Sequence, residues 1–182
     1  MVFWNDIDLA QIEMVPTTRD RTVFRYNGGP LRFQIPRGAC PFGVSEYKSL
    51  NVDVTHQDFI EWWRQLEAHL CPGATSGDPL VPPFNSNLKN GSLRLKIDDA
   101  AYIFDQNSKQ ITPEIREGVF RGQDLACLID VLSTYFFNGS YGLVVRVYQA
   151  KTLTDPLPEM PTEVPEESFS LPKGMCAFLS VE

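Results

Sequence analysis

The sequence predicts a mostly β protein, folded as a small closed barrel or a sandwich, with one main helix and an acidic, flexible C-terminal tail. Fourteen prolines and twelve glycines in 182 residues indicate many turns and short elements. Six to eight segments have strand character, and they do not alternate with helices as in parallel α/β folds. A hydrophobic content of 43% with 12% aromatic residues is sufficient for the core of one domain.

The first predicted strands lie in the N-terminal third of the chain. Residues 22–26 and 31–35 are separated by the turn sequence Asn27-Gly28-Gly29-Pro30. Residues 36–43 contain two prolines and two glycines, which predicts a loop. Alternation returns at residues 46–54, where Lys48, Leu50, Val52 and Val54 share one predicted face.

Residues 55–71 have a helical period instead. The apolar positions are Phe59, Trp62, Trp63, Leu66 and Leu70. Thr55 is placed to cap this helix, with Asp58 three residues later as in a capping box, and Pro72-Gly73 ends it. The spacing of the two tryptophans favours core positions over an exposed stacking platform.

The second half of the chain is predicted to be largely strand. After a loop at residues 73–90, the segment 93–97 alternates between apolar and basic residues and is expected to pair with 100–104. Residues 106–124 read as loop with some short structure. The apolar segment 125–137 fits a buried strand or a short helix, and periodicity does not distinguish them. Asn138-Gly139 then turns the chain into a strand over 141–150.

The net charge of −7 is unevenly distributed. Residues 152–182 carry six acidic residues and one basic residue, a net charge of −5. Residues 19–48 carry six basic residues and two acidic ones, a net charge of +4. We therefore divide the chain into a domain at 1–151, part of which is locally basic, and an acidic, proline-containing tail at 152–182.

Sequence signatures of catalysis are missing, so we expect a protein that is not an enzyme. There is no G-x-S-x-G, phosphate-binding loop, G-x-G-x-x-G or H-E-x-x-H motif. The four cysteines, Cys40, Cys71, Cys127 and Cys176, are widely spaced, which favours free thiols over a zinc site. We expect no metal or organic cofactor. The N-terminus is acidic rather than basic and no apolar stretch could span a bilayer, so an intracellular protein without membrane contact is expected.

Basic residues beside aromatic residues on strands are what a groove for single-stranded nucleic acid requires. Cations follow the phosphate backbone and flat rings stack on bases. The candidates for DNA binding are Arg32, Arg37, Phe42, Tyr47, Lys48, Arg94, Lys96, Arg146 and Tyr148. An ordinary solvated sheet face shows the same alternation, and spacing alone does not separate the two interpretations.

Two stretches favour the DNA-binding interpretation. Residues 28–44 read GGPLRFQIPRGACPFGV, and residues 135–150 read YFFNGSYGLVVRVYQA. Both resemble segments of the OB-fold single-stranded DNA-binding proteins of large DNA viruses and related phages. In that family a strand ending in Q-x-P leads through a short loop to P-F-G, and a late hairpin ends in a strand with Y-G-L and V-x-Q. The predicted helix also follows where the family places a helical segment.

The resemblance implies an OB-fold-like antiparallel barrel that coats and protects single-stranded DNA in replication, recombination or repair. It implies that the acidic tail, with Phe178-Leu179 near its end, competes with DNA for the basic groove or recruits replication proteins, and it allows a homo-oligomer. If the protein is viral, it would act in the nucleus or cytoplasm of an infected host cell. The alternative is a viral structural or assembly protein with a β-sandwich and protein-binding surfaces, which the acidic balance and the proline-rich tail would suit.

Overall fold

The computed structural model describes residues 2–18, 21–73, 80–112 and 114–153. Within them two short 3-10 helices (Trp4–Asp6 and Leu9–Gln11) precede one α-helix and twelve strands. The elements are β1 (Glu13–Thr18), β2 (Arg21–Tyr26), β3 (Gly29–Gln34), β4 (Gly38–Cys40), β5 (Ser49–Asp53), α1 (Gln57–Leu70), β6 (Phe84–Asn85), β7 (Leu88–Lys89), β8 (Ser92–Lys96), β9 (Tyr102–Phe104), β10 (Gln110–Ile111), β11 (Gln123–Phe137) and β12 (Ser140–Thr152). Of the predicted tail at 152–182, residues 152 and 153 are described, with Thr152 ending β12, and residues 154–182 lie outside the described residues.

Five strands close into a barrel, so the barrel interpretation is confirmed over the sandwich. Going round it, β11 pairs with β4, β4 with β5, β5 with β8, β8 with β12, and β12 returns to β11. Only the β8–β12 contact is parallel among these five pairings. Closure leaves no free edge within this circuit.

Asparagine–glycine turns build the hairpins. At Asn138-Gly139 the φ angles are 48° and 73°, and at Asn90-Gly91 they are 52° and 78°. Two consecutive positive φ angles are what a two-residue turn between twisted antiparallel strands needs. The turn predicted at Asn138-Gly139 is therefore present, and it connects the two longest strands, β11 and β12.

Helix α1 covers part of the core with its apolar face. Phe59, Trp63 and Leu66 are fully buried, while Trp62 packs at the core margin. The prediction that Thr55 caps the helix is wrong. His56 is the N-cap, and its Nδ1 accepts a hydrogen bond from the Phe59 backbone N–H at 3.3 Å. None of the described helices is both long and apolar enough to cross a membrane.

The structure corrects two other local predictions and resolves one alternative that the sequence left open. Residues 102–104 (β9) pair with β12 in parallel and with β10, not with β8, because β5 occupies one side of β8 and β7 and β12 occupy the other. Lys48 has a φ of 51° and lies in the turn before β5 rather than on its apolar face. Residues 123–137 form a strand, since its partners on both sides are strands.

The barrel core is continuous and apolar. It includes Leu31, Phe33, Leu50, Leu95 and Val145 from different strands. Cys40, Cys71 and Cys127 are buried thiols at its margin or centre, and desolvation raises the pKa of Cys127 to about 12. A buried thiol with a raised pKa is a poor nucleophile, so these cysteines act as small packing residues. Cys176 lies outside the described residues.

Candidate nucleic-acid interface

A groove with a volume of about 820 Å³ runs over the outer face of β5 and β8 and under the tip of the β11–β12 hairpin. The alternation of side chains along β5 and β8 determines which residues form its floor. Leu50 and Leu95 pair across β5 and β8 and point into the core, so their neighbours Asn51 and Arg94 point outward as the next pair. The polar and aromatic residues that line the groove are Tyr47, Ser49, Asn51, Asn85, Ser86, Asn87, Lys89, Ser92, Arg94, Lys96, Tyr135 and Phe137.

The charge of this groove is positive. Lys89, Arg94 and Lys96 line it, and the described lining residues include no aspartate or glutamate. No carboxylate of the described residues lies within 4.0 Å of the Arg94 or Lys96 cation. Unpaired cations on a concave surface attract a polyanion, because the low-dielectric protein around the groove concentrates their electric field.

Aromatic side chains in the groove are unusually accessible. Tyr47 is 70% exposed and Phe137 is 67% exposed. A folded protein normally buries rings of this size, so exposed rings beside cations indicate a binding surface. Flat rings of this kind stack on unpaired bases.

Tyr135 is held in the groove by a glycine. It pairs with Gly142 across the hairpin, and a Cβ atom at position 142 would overlap with the Tyr135 ring. The ring therefore lies across the bare backbone of β12, an arrangement known from aromatic residues that cover strand glycines.

Replacing Gly142 with alanine is expected to push the Tyr135 ring out of this position while the barrel stays folded. If Tyr135 contacts a bound base, Gly142→Ala should weaken binding of oligo-dT by about 1–3 kcal/mol, as much as Tyr135→Ala. Fluorescence anisotropy measures the affinity, and thermal unfolding checks the fold. Wild-type affinity in a folded Gly142→Ala protein would show that the position of this ring does not matter.

The wall of the groove at residues 84–89 is tied to α1 by one buried carboxylate. Glu67 Oε1 accepts hydrogen bonds from Trp63 Nε1 at 2.8 Å and from the Asn87 backbone N–H at 3.1 Å. Ser86 Oγ lies 2.8 Å from Glu67 Oε2. Glu67 is only 5% exposed. Its desolvation raises its pKa, although the hydrogen bonds that it accepts act in the opposite direction. The helix thereby fixes the segment that carries Asn85, Asn87 and Lys89.

A second polar cluster lies beside the groove on β3, β11 and β12. Asp130, 2% exposed at its side chain, accepts two hydrogen bonds from Arg32 at 2.6 and 3.0 Å and lies 3.6 Å from Arg146. The Arg32 guanidinium stacks 3.3 Å above the centroid of the Tyr148 ring, and Tyr102 contacts the same ring edge-on. Part of the charge of both arginines is therefore neutralised, and one face of Tyr148 is covered.

The structure thus distributes the nine predicted residues over four places. Tyr47, Arg94 and Lys96 come together in the groove. Arg32, Arg146 and Tyr148 surround Asp130, and Lys48 lies outside the groove with its Nζ 2.9 Å from Asp99. Arg37 precedes β4 and Phe42 follows it. Both side chains are exposed, Phe42 to 70%, and neither lines the groove.

Sequence reasoning missed Lys89, Tyr135 and Phe137. Lys89 directly precedes Asn90-Gly91, and the two rings precede Asn138-Gly139. A basic or aromatic residue next to a hairpin turn was the available signal, because hairpin tips project beyond the barrel.

The closed barrel of five strands with one main helix has the architecture of the OB-fold, as the sequence resemblance implied. No family model matches the sequence, and no curated protein is significantly similar to it. Solved structures do match. The single-stranded DNA-binding protein of bacteriophage Enc34, in a C-terminal truncation, superposes with a TM-score of 0.51 at 8% identity over 82% of this chain and 98% of that one.

Two further solved structures support the same fold. The Enc34 protein in complex with single-stranded DNA matches with a TM-score of 0.50 at 9% identity, over 82% of this chain and 98% of that one. The gp2.5 single-stranded DNA-binding protein of bacteriophage T7 matches with a TM-score of 0.50 at 10% identity, over 68% of this chain and 86% of that one. At such identities the likeness concerns the fold of the chain.

Proposed function

We propose that this protein binds single-stranded DNA in the groove over β5 and β8. The observation that carries the proposal is the composition of that groove. Lys89, Arg94 and Lys96 line it without an acidic partner among its described lining residues, and Tyr47 and Phe137 expose most of their rings in it. The proposal is supported by the fold that this chain shares with two phage single-stranded DNA-binding proteins.

The chemistry of the groove suits unpaired DNA better than duplex. Cations neutralise phosphates of either form, but aromatic rings stack only on bases that are not already stacked in a helix. Asn51, Asn85 and Asn87 add donors and acceptors that can adapt to any base edge. Binding should therefore show little sequence preference.

We propose that the protein acts by binding and not by catalysis, coating and protecting exposed strands in replication, recombination or repair. The acidic tail at 152–182 is proposed to recruit replication proteins. If the chain is viral, the place of action is the nucleus or cytoplasm of the infected host cell.

The test is fluorescence anisotropy of labelled oligo-dT and of a matched duplex over a range of salt concentrations. We expect tighter binding of the single strand and a steep loss of affinity with salt, since each neutralised phosphate contributes a slope of about −0.7. The triple variant Lys89→Ser, Arg94→Ser, Lys96→Ser should reduce that slope by about 2. Equal affinity for duplex, or a flat response to salt, would contradict the proposal and favour the structural or assembly protein.

A further inference from the structure

The β1–β2 hairpin lies outside the barrel circuit and forms an arm beside the groove. All six residues of β1 are exposed, and the arm is attached to the barrel through β3 and the outer half of β11. The Thr22 backbone N–H donates to Thr134 Oγ1 at 2.8 Å, and Arg21 Nε donates to Ser133 Oγ at 3.3 Å. The arm is therefore fixed to the strand that carries Tyr135 and Phe137.

One face of this arm is continuous with the groove. In β2 the side chain of Phe24 points into the core, so those of Arg21 and Arg25 point outward. Val23, between them on the outward face, pairs with Ser133 of β11. Alternation from Ser133 then places Tyr135 and Phe137 on that same outward face.

A row of charged side chains on the same face, which includes the ion-paired Arg32, Asp130 and Arg146, connects the arm to the groove through the barrel strands. Arg25 pairs with Pro30, and Arg32 follows two residues later on β3. From Arg32 the row continues through Asp130 to Arg146 and then to Lys96 in the groove. Three strand steps separate Lys96 from Arg32, a distance of about 14 Å at the usual strand spacing.

Arg21 and Arg25 are free to bind an anion. Both are exposed, and no carboxylate of the described residues lies within 4.0 Å of either. The described residues of β1 and β2 include one acidic residue, Glu13. It lies opposite Arg25 in the strand register, but the two side chains form no ion pair within 4.0 Å. Among the described strands β1 lies at the edge of the sheet, and this edge is a poor site for adding a strand, because Pro16 has no N–H and the register shifts between Pro16 and Thr18. The face of the arm, rather than its edge, is thus the available surface.

We infer that the outward face of the β1–β2 arm is a second contact surface for the phosphate backbone of the DNA strand that leaves the groove. Arg21 and Arg25 would each neutralise a phosphate, without reading the base sequence. The inference rests on the proposed function. It adds that a strand long enough to leave the groove gains contacts that a short strand does not.

The test compares two lengths of oligo-dT on the full-length protein and on the double variant Arg21→Ser, Arg25→Ser. OB-fold site sizes range from about 4 to 16 nucleotides, so oligomers near these two ends are used. With the longer oligomer the variant should lose about 1.4 from the magnitude of its salt slope, corresponding to two phosphates. With the shorter oligomer the variant and the wild type should bind alike.

The matched control removes two exposed cations elsewhere, with Lys109→Ser and Arg116→Ser, neither of which lines the groove or belongs to the arm. It should leave the salt slope unchanged at both lengths, and thermal unfolding should show that both double variants fold. A wild-type slope in the arm variant with the longer oligomer overturns the inference while the groove stands. The inference is also overturned if the arm variant loses the same affinity for both oligomers, or if the control variant loses as much affinity as the arm variant. Failure of the wild type to bind either oligomer overturns the proposed function and the inference with it.

Discussion

Removing both exposed rings of the groove, with Tyr47→Ser and Phe137→Ser, is expected to weaken binding of oligo-dT by about 2–6 kcal/mol. Each base stacked on an aromatic side chain contributes about 1–3 kcal/mol, and the two rings lie at different places in the groove. Both rings are about two-thirds exposed, so their loss should hardly change thermal unfolding. Fluorescence anisotropy and a thermal melt of the same preparation measure the two effects.

Two control variants separate stacking from other consequences of the substitutions. Phe136→Ser changes the neighbouring residue of the hairpin, whose ring contacts Tyr141 and does not line the groove, so it should keep wild-type affinity. The exchange Tyr47→Phe with Phe137→Tyr keeps a ring at each position and should also bind normally. Unchanged affinity in the folded serine variant would instead place base stacking elsewhere, with Tyr148 as the next ring to test.

Replacing Glu67 with alanine is expected to destabilise the protein by roughly 2–6 kcal/mol and to weaken DNA binding. The substitution leaves the Trp63 indole N–H and the Asn87 backbone N–H without their acceptor, at about 1–3 kcal/mol for each buried donor. Since the segment at 84–89 also loses its link to α1, the groove wall should become less well ordered. Chemical denaturation measures the stability, and anisotropy below the unfolding midpoint measures the binding.

Glu67→Gln is the control for the geometry of this contact. Its amide oxygen can still accept hydrogen bonds from Trp63 and Asn87. Its amide nitrogen can donate to Ser86 Oγ, because the Ser86 hydroxyl can donate its own hydrogen to the Leu88 carbonyl 3.0 Å away. We expect this variant to bind DNA nearly as the wild type does. If Glu67→Gln lost as much binding as Glu67→Ala, the role assigned to the hydrogen-bond geometry would be wrong.

The two side chains also differ in their response to pH. Burial raises the pKa of Glu67, so the folded protein takes up this proton more readily than the unfolded chain. This carboxyl therefore favours folding most at a pH below its ordinary pKa, and that contribution is lost as the pH rises through the raised value. Relative to Glu67→Gln, the wild type should gain stability as the solution is acidified, which denaturation at several pH values can measure. A constant difference across that range would contradict the raised pKa.

Local features of the sequence determined several elements of the fold. Asn90-Gly91 and Asn138-Gly139 specify two-residue hairpin turns, because the backbone angles that those turns need are accessible to Asn and Gly. The alternation of Leu93, Leu95 and Ile97 with Arg94 and Lys96 specified a strand with one buried and one basic face. The helical spacing of Phe59, Trp63 and Leu66 specified α1. Each of these patterns is a property of neighbouring residues, which is why the sequence shows it.

The tertiary structure decided which of the outward-facing residues share a surface. Arg94 and Arg146 look equivalent in the sequence, since both alternate with buried apolar residues. The barrel places Arg94 in an open groove, whereas Arg146 lies 3.6 Å from Asp130, its register partner in the β11–β12 hairpin. Asp130 also binds Arg32, which β3 brings from a distant part of the chain. Likewise, the Tyr135 and Phe137 rings reach the groove only because β11 and β12 extend beyond the barrel beside β6. Such relations depend on pairing between strands that are far apart in sequence, and no periodicity within one segment encodes the identity of its partner.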